Sequence, residues 1–323
     1  MLKVGLIGCG IMGAAHAEAW MRLSECVQLV SVADKNTERA KQKVAGSGAR
    51  VYAGADEMLK NEALDVVDIC TPTAMHTPFI LKAMEYVHDI IVEKPLCLNA
   101  EEADLLLAAQ KKTGARVQVG HIVRFNPEYE YLANVAHNET YGKLHSAHFK
   151  RLRTPPIGMH AFDDENVTGG VALDLHIHDV DFARYLMRGD PDRISSHGTV
   201  REDGVIEHIW SIYYYQNARI MTEASWYHPT IQAGFSAKFD KAAILFDGGV
   251  LTVHPKDGDA FVPTLRECNK PTEIPTTDWI IRELTRFASA ILTDSPAVVS
   301  LEDAAGAVRL AKREIAEIKG AAK

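Results

Sequence analysis

Leu2-Lys3-Val4-Gly5-Leu6-Ile7-Gly8-Cys9-Gly10-Ile11-Met12-Gly13 is the stretch that decides how this chain begins to fold. Leu2 to Ile7 is a short apolar run with strand character. A helical apolar spacing follows through Ala14, Ala17, Trp20 and Leu23, and a second strand-like run, Val27 to Ala33, ends at Asp34. Strand, glycine turn, helix, strand and acid, in that order, make a dinucleotide site. Gly8 permits a tight turn, Gly10 lets a pyrophosphate approach the backbone, and Gly13 lets helix and strand pack closely. Ile11 and Met12 open the helix, whose N-terminus offers unpaired N–H groups and a partial positive charge to phosphates. Asp34 stands about 20 positions past Gly13, where a carboxylate accepts hydrogen bonds from ribose hydroxyls. Its charge repels a 2′-phosphate, so NAD is the expected cofactor. Lys35 beside it leaves room for NADP.

The alternation continues outward from this stretch. Residues 37–46 read as a helix, followed by a short strand near Val51 and a helix around Glu57 to Lys60. Asp65 to Cys70 is almost wholly apolar, as a buried parallel strand should be, and ends in Thr71-Pro72-Thr73-Ala74-Met75-His76. Ile90 to Val92 is the next strand and ends in Glu93-Lys94-Pro95. Asn99 reads as an N-cap with Glu102 as its partner, and Gly114 closes that helix. Val117 to Gly120 is the last strand of the set. The pattern predicts an α/β fold with a doubly wound parallel sheet and helices on both faces. Ligands bind at the carboxyl ends of such strands, where Thr71, Pro72, Glu93 and Lys94 stand. Most lysines in loops are simply solvated. Lys94, however, follows a buried strand and precedes a proline that stiffens its loop. Beside an oxidised nicotinamide, itself cationic, its ammonium form is disfavoured, which suits acid–base work.

The totals bound the function. A length of 323 residues suffices for two domains with substantial cores. Hydrophobic residues make up 47% and charged residues 24%, the profile of a globular protein, and the net charge of −8 argues against nucleic acid or an anionic membrane as partner. No run approaches the ~18 apolar residues of a membrane span. Strand character starts at Leu2 without a basic leader. Cys9, Cys26, Cys70, Cys97 and Cys268 are scattered, which fits reduced thiols better than disulfides or a metal site. A cytoplasmic chain with no resident metal is therefore expected.

A second stretch carries chemistry: Gly169-Gly170-Val171-Ala172-Leu173-Asp174-Leu175-His176-Ile177-His178-Asp179-Val180-Asp181. Its spacing predicts a helix running to about Met187. Asp174, His178, Asp181 and Tyr185 fall in one line on such a helix, while most of the remaining circumference is apolar. A polar stripe of this kind faces an enclosed cleft, with Asp174 placed to orient His178. The plainer alternative is an ordinary buried hydrogen-bonded pair. His176 and His178 are two apart, point in different directions and cannot share a zinc ion from one helix.

Pro127 starts a helix to about Ala136, and Lys143 to Arg153 reads as a strand with Arg151 and Arg153 on one face. Those arginines are either surface charge or a reach toward an anionic substrate group. Residues 154–168, with Pro155, Pro156, His160 and Asp163, form a loop that could cover a substrate. Ile194–Arg201, Glu207–Tyr215, Arg219–Tyr227, Gly234–Asp240, Ala242–Phe246 and Val250–His254 then read as successive strands of an antiparallel sheet. Trp210, Tyr213, Tyr215, Trp226 and Tyr227 are either core or the cover of an open face. A homodimer or homotetramer packed through that face is expected. Trp279–Leu292 and Glu302–Ile318 are two terminal helices.

Taken in order, these residues resemble a known family. The Gly8–Gly13 loop, Thr71-Pro72 with His76, Glu93-Lys94-Pro95, Arg124-Phe125-Asn126-Pro127, and Gly169-Gly170 leading to Asp174 and His178 are similar to the glucose–fructose oxidoreductase / inositol dehydrogenase family of NAD(P)-dependent sugar and cyclitol oxidoreductases. The resemblance covers nearly the whole chain. It implies a Rossmann domain over 1–122, which binds the dinucleotide. Residues 123–323 would form an α/β domain with an open, mostly antiparallel sheet, serving substrate binding and oligomerisation. It implies Lys94 as active-site lysine, Asp174 and His178 as an acid–histidine pair, and Arg124 as an arginine near substrate and nicotinamide. Thr71, Pro72, His76 and Glu93 would belong to the cofactor site. His121 stands where many members carry another polar residue, and His176 adds an imidazole, so the substrate stays open. The implied reaction is reversible hydride transfer between nicotinamide and a secondary alcohol of a sugar or cyclitol. His178 would take the hydroxyl proton and Lys94 hold the reacting oxygen, with the formal base unassigned between them. The rivals are an NADP-dependent keto- or nucleotide-sugar reductase, an NAD-dependent glycosidase and a non-catalytic nucleotide sensor.

Overall fold

The computed structural model describes residues 1–154, 165–265 and 278–321. The chain forms two compact units, Met1–Ile122 with Glu267–Ala305, and Val123–Arg266 with Gly306–Lys323. The loop expected to cover a substrate falls largely on 155–164, outside the described residues, as does Cys268.

The first unit holds strands β1 (Leu2–Ile7), β2 (Val27–Ala33), β3 (Arg50–Tyr52), β4 (Val66–Ile69), β5 (Asp89–Glu93) and β6 (Arg116–Gly120). All pair in parallel, in the order β3-β2-β1-β4-β5-β6. The order reverses between β1 and β4, and there a crevice opens at the carboxyl ends of the strands. Every residue of β4 and β5 is buried, which explains their near-continuous apolar sequence. Between the strands run α1 (Ile11–Arg22), α2 (Thr37–Lys43), α3 (Ala55–Asn61), α4 (His76–Ala83) and α5 (Ala100–Thr113). The Asn99 side chain accepts the Glu102 N–H at 2.8 Å and donates to the Glu102 carboxylate at 2.8 Å. Gly114 ends α5 with a left-handed φ of +75°.

The second unit opens with α6 (Pro127–His137), whose N-cap Asn126 accepts from the Glu128 and Tyr129 N–H groups. Its strands are β7 (Leu144–Leu152), β8 (Arg193–Val200), β9 (Ile206–Tyr214), β10 (Arg219–Ser225), β11 (Gln232–Phe239), β12 (Ala242–Asp247) and β13 (Val250–Pro255). They lie in the order β13-β12-β11-β7-β10-β9-β8. The sheet is mostly antiparallel, with one exception: β7 and β10 run parallel. The first strand sits inside the sheet between β10 and β11, which run in opposite directions, so one of the two must share its direction. One sheet face carries α7 (Ile177–Met187) and an aromatic core in which the Tyr129 ring lies 4.8 Å from Phe182 and 4.9 Å from Phe235. Tyr213, Tyr215 and Trp226 belong to the core, whereas Trp210 and Tyr227 are exposed. The other sheet face is open. Ile212, Met221, Ala243 and Leu245 line a groove of 930 Å³ there.

Two helices come late in the chain, α8 (Trp279–Leu292) and α9 (Leu301–Ala321). Sequence order alone would group α8 with the second domain. It packs instead on α1, burying Ile281, Leu284, Phe287 and Ala288. From Gly306 onward α9 belongs to the second unit, where Ile318 joins a cluster with Val171, Leu175, Ile209 and Trp226.

Candidate active site

The nucleotide loop follows from its glycines. Gly8 has φ +96°, and a side chain there would strike the Cys70 carbonyl oxygen. A side chain at Gly13 would collide with the Gly8 carbonyl oxygen, so α1 can lie close to β1 only with glycine at this point. Beside Gly10 there is open space. Gly10 is also the N-cap of α1, and no side chain caps that helix. Open backbone at a helix N-terminus is a cradle for a pyrophosphate, so Gly8, Gly10, Ile11, Met12 and Gly13 fit a bound dinucleotide.

Asp34 stands at the end of β2 and is buried. It accepts the Cys9 N–H at 2.6 Å and the Asn36 N–H at 2.7 Å, and both its oxygens lie 2.9 Å from the Arg39 guanidinium. Burial works against its charge. The N–H groups of Cys9 and Asn36 and then Arg39 outweigh this and hold the carboxyl below its ordinary value. An acid so fixed is ready for ribose hydroxyls. Arg39 was not among the residues singled out from sequence. Its only signal is a position five past an acid, and side-chain reach on that scale is not encoded in a pattern.

Lys94 is half-buried, and every other residue from Asp89 to Cys97 is buried. Its side chain therefore leaves the sheet where β5 ends. Thr71 is half-buried and Pro72 exposed beyond β4. His76 and Glu93 are buried. His76 is 1% exposed and sets its two ring nitrogens 2.8 Å from the Pro95 carbonyl and 2.9 Å from the Thr71 carbonyl. It ties the loops after β4 and β5 together from behind. The Glu93 carboxylate also turns inward. His121, just past β6, is buried as well.

In the second unit, Gly169 and Gly170 have φ of +83° and +65° and lead into a wide π-turn at Ala172–His176, which passes into α7. Such turns insert one extra residue per turn and recur at functional sites. From Val171 to Ala183 the only residues not buried are Asp174 and His178. The straight polar line expected from helical spacing is therefore broken. Asp181 faces the core, where its oxygens accept from Arg124 at 2.6 and 2.8 Å. Arg124 also lies 4.7 Å from the centre of the Tyr185 ring. Arg124 is thus committed to α7 and braces it. Arg151 is neither surface charge nor an arm toward a ligand: it is buried and pairs with Asp179 at 2.8 and 3.0 Å. His176 points into the core as well, 3.3 Å from Glu314, whose carboxylate accepts the Tyr213 hydroxyl at 2.6 Å. Between Val171 and Ala183, then, one acid and one imidazole are half-buried and the rest is core.

Residues 2–121 match the model of an oxidoreductase family with an NAD-binding Rossmann fold, and residues 129–248 match the GFO/IDH/MocA C-terminal domain. The chain is 31% identical over 207 residues to the scyllo-inositol 2-dehydrogenase (NAD(+)) of Bacillus subtilis, spanning 64% of this chain and 60% of that one. It is 28% identical over 204 residues to the myo-inositol 2-dehydrogenase of Thermotoga maritima, spanning 62% and 60%. It is 30% identical over 190 residues to the UDP-N-acetylglucosamine 3-dehydrogenase of Acidithiobacillus ferrooxidans, spanning 59% and 56%. The match thus covers at most 60% of the length of these relatives. In fold, levoglucosan dehydrogenase in complex with NADH and levoglucosan superposes with a TM-score of 0.87 at 20% identity, covering 100% of this chain and 98% of that one. The chain belongs to the GFO/IDH/MocA family of oxidoreductases, and its first unit is that family's NAD-binding Rossmann fold.

Proposed function

We propose that this chain oxidises a secondary alcohol of a sugar, sugar derivative or cyclitol, and reduces the corresponding ketone in reverse. The first unit holds the dinucleotide and the second binds the substrate. Bound NAD supplies the hydride acceptor at nicotinamide C4. Asp174 orients His178, whose imidazole takes the hydroxyl proton. Lys94 holds the reacting oxygen and favours its alkoxide-like form. Lys94, Asp174 and His178 form the catalytic set on this reading, Lys94 and His178 touching the reacting group and Asp174 acting through His178. Arg124 acts through Asp181 and Tyr185 as a positioning residue. The observation that carries the proposal is the pattern of burial: Lys94 just past β5, Asp174 in the π-turn and His178 in the first turn of α7 are half-buried polar residues on otherwise buried stretches.

The substrate class is supported by the inositol and sugar dehydrogenases among the relatives. The open sheet face, with Met221 and Leu245 exposed, suits a second copy of the chain in a homodimer or homotetramer. Among the described residues no helix is long and apolar enough to cross a membrane, and Cys9, Cys26, Cys70 and Cys97 form no disulfide there, which suits a reducing cytoplasm. A panel of cyclitols, aldoses, sugar acids and nucleotide sugars, offered with NAD and followed by reduced-nicotinamide absorbance, tests the reading. Turnover of at least one member is expected. No reduction with any of them, alongside hydrolysis of a chromogenic glycoside, would replace dehydrogenation with NAD-dependent glycoside cleavage.

A further inference from the structure

The first unit contains a buried charged cluster that the nucleotide loop does not use. His16, on α1, is fully buried. Its Nδ1 lies 2.9 Å from Asp68 Oδ2 in β4, and its Nε2 lies 3.0 Å from Glu93 Oε1 at the end of β5. Trp20 donates its indole N–H to the same Asp68 oxygen at 2.7 Å, and the Cys70 thiol faces the other at 3.6 Å. The second Glu93 oxygen accepts the Lys94 backbone N–H at 3.0 Å. Glu283 of α8 completes the surroundings: its carboxylate, Glu93 and the His16 ring offer polar atoms within 4.8 Å of one another.

A neutral imidazole donates from one nitrogen only. With both acids ionised, carboxylates at hydrogen-bond distance on opposite nitrogens need an N–H on both, which is the imidazolium. The electrostatics agree. Burial disfavours the charged ring, but the acidic groups packed against it, Cys70 and Asp68, override this and hold His16 well above its ordinary value, Asp68 through both its charge and its hydrogen bond. Burial pushes the Cys70 thiol up, so that group stays neutral and the working anions are carboxylates. Burial would likewise raise Glu93; the hydrogen bond and charge of His16, and then Lys94, hold it below the ordinary carboxylate value.

We propose that His16 is a positioning residue for Lys94: by bridging Asp68 and Glu93 it fixes the carboxylate on which the Lys94 backbone N–H hangs, and so fixes where the Lys94 side chain leaves the sheet. This rests on the catalytic reading of Lys94 given above. The bridge has a working range in pH. His16 is raised when folded, so its contribution is whole below its unfolded value and is lost as pH rises through the folded one. Glu93 is lowered, so its contribution is present above its unfolded value and is lost as pH falls through the folded one. The bridge therefore spans neutral pH and opens at either extreme.

Two measurements on the full chain test this. With ¹⁵N-labelled histidine, the His16 ring is expected to carry protons on both nitrogens across about pH 6 to 8. A neutral ring at pH 7, or stoichiometric zinc bound at His16 in the purified protein, overturns the proposal. In His16→Gln, with lysines ¹³C-dimethylated and the Lys94 signal assigned through Lys94→Arg, that signal is expected to split or broaden. NAD affinity should stay within about threefold of the parent, and kcat should fall about tenfold. A Lys94 signal and kcat both unchanged in His16→Gln overturn the proposal. Should His16→Gln fail to fold, the ring measurement on the unmodified chain still decides. The two readings fail separately. Undiminished turnover in Lys94→Ala removes the catalytic role of Lys94 and leaves the His16 ring as measured, whereas a neutral His16 ring leaves the role of Lys94 standing.

Discussion

The two units hold their candidate chemistry in opposite ways. In the first, the active groups stand on loops at the ends of parallel strands, and the sheet behind them is mostly apolar, with the His16 cluster and the Asp89–Arg116 pair as its charged exceptions. In the second, Asp174 and His178 sit on a helical segment clamped by two buried arginine–carboxylate pairs, Arg124–Asp181 and Arg151–Asp179. Topology alone positions the first set, because every doubly wound sheet presents its strand ends to a ligand. The second set depends on a local π-turn and on side-chain ion pairs, which topology does not supply. The first unit should therefore tolerate changes of stability better than the second, while single losses at its strand ends strike function directly.

The largest expected effect is on function in the first unit. Lys94→Ala should lower kcat about 10³-fold, with NAD affinity within about threefold, by steady-state kinetics and nucleotide titration. Unchanged turnover would end the role given to Lys94. Next comes stability in the second unit. Asp179→Ala leaves the Arg151 guanidinium buried without its carboxylate and should cost about 3 to 5 kcal/mol, read as a fall in denaturation midpoint. A loss under about 1 kcal/mol would show that the clamp is not what holds the helix. Asp34→Ser should weaken NAD about 10- to 100-fold. It also releases Arg39, which with Lys35 can then meet a 2′-phosphate, so NADP should gain relative to NAD. Equal loss for both cofactors would deny Asp34 its selective role. The smallest effects compare helix starts in the two units: Asn99→Ala on α5 and Asn126→Ala on α6 should each cost about 1 kcal/mol. A much larger loss for the buried Asn126 would mark that junction as a second structural dependency.

The same contrast explains what the sequence could and could not disclose. The glycine spacing from Gly8 to Gly13, the acid at Asp34 and the apolar runs ending at Thr71 and Lys94 carry the first fold openly, since each reflects a backbone or burial requirement local in sequence. The strands of the second sheet were readable from alternation, but the parallel pairing of β7 with β10 was not, because pairing partners are set by topology. The docking of α8 on α1 is hidden for the same reason. Helical spacing predicted a polar line through Asp174, His178 and Asp181. The line ends at Asp181, which turns to Arg124 in the core, and no periodicity announces an ion pair with a residue 57 positions away. His16 could have been suspected: Asp68 and Glu93 are acids inside buried parallel strands, and a buried acid demands a donor or a cation. Which residue answers that demand is a matter of three dimensions.

Shared work by the Lys94 amine just past β5 and the His178 imidazole in the first turn of α7 is the central claim, and a double-variant cycle tests it most directly. Lys94→Ala and His178→Ala are each expected to lower kcat about 10²- to 10³-fold on the substrate found by screening. Residues acting as one unit fail together, so the double variant should be no more than about tenfold slower than the slower single variant. Losses that multiply in full, to about 10⁵-fold, or parental turnover in either single variant, would contradict it.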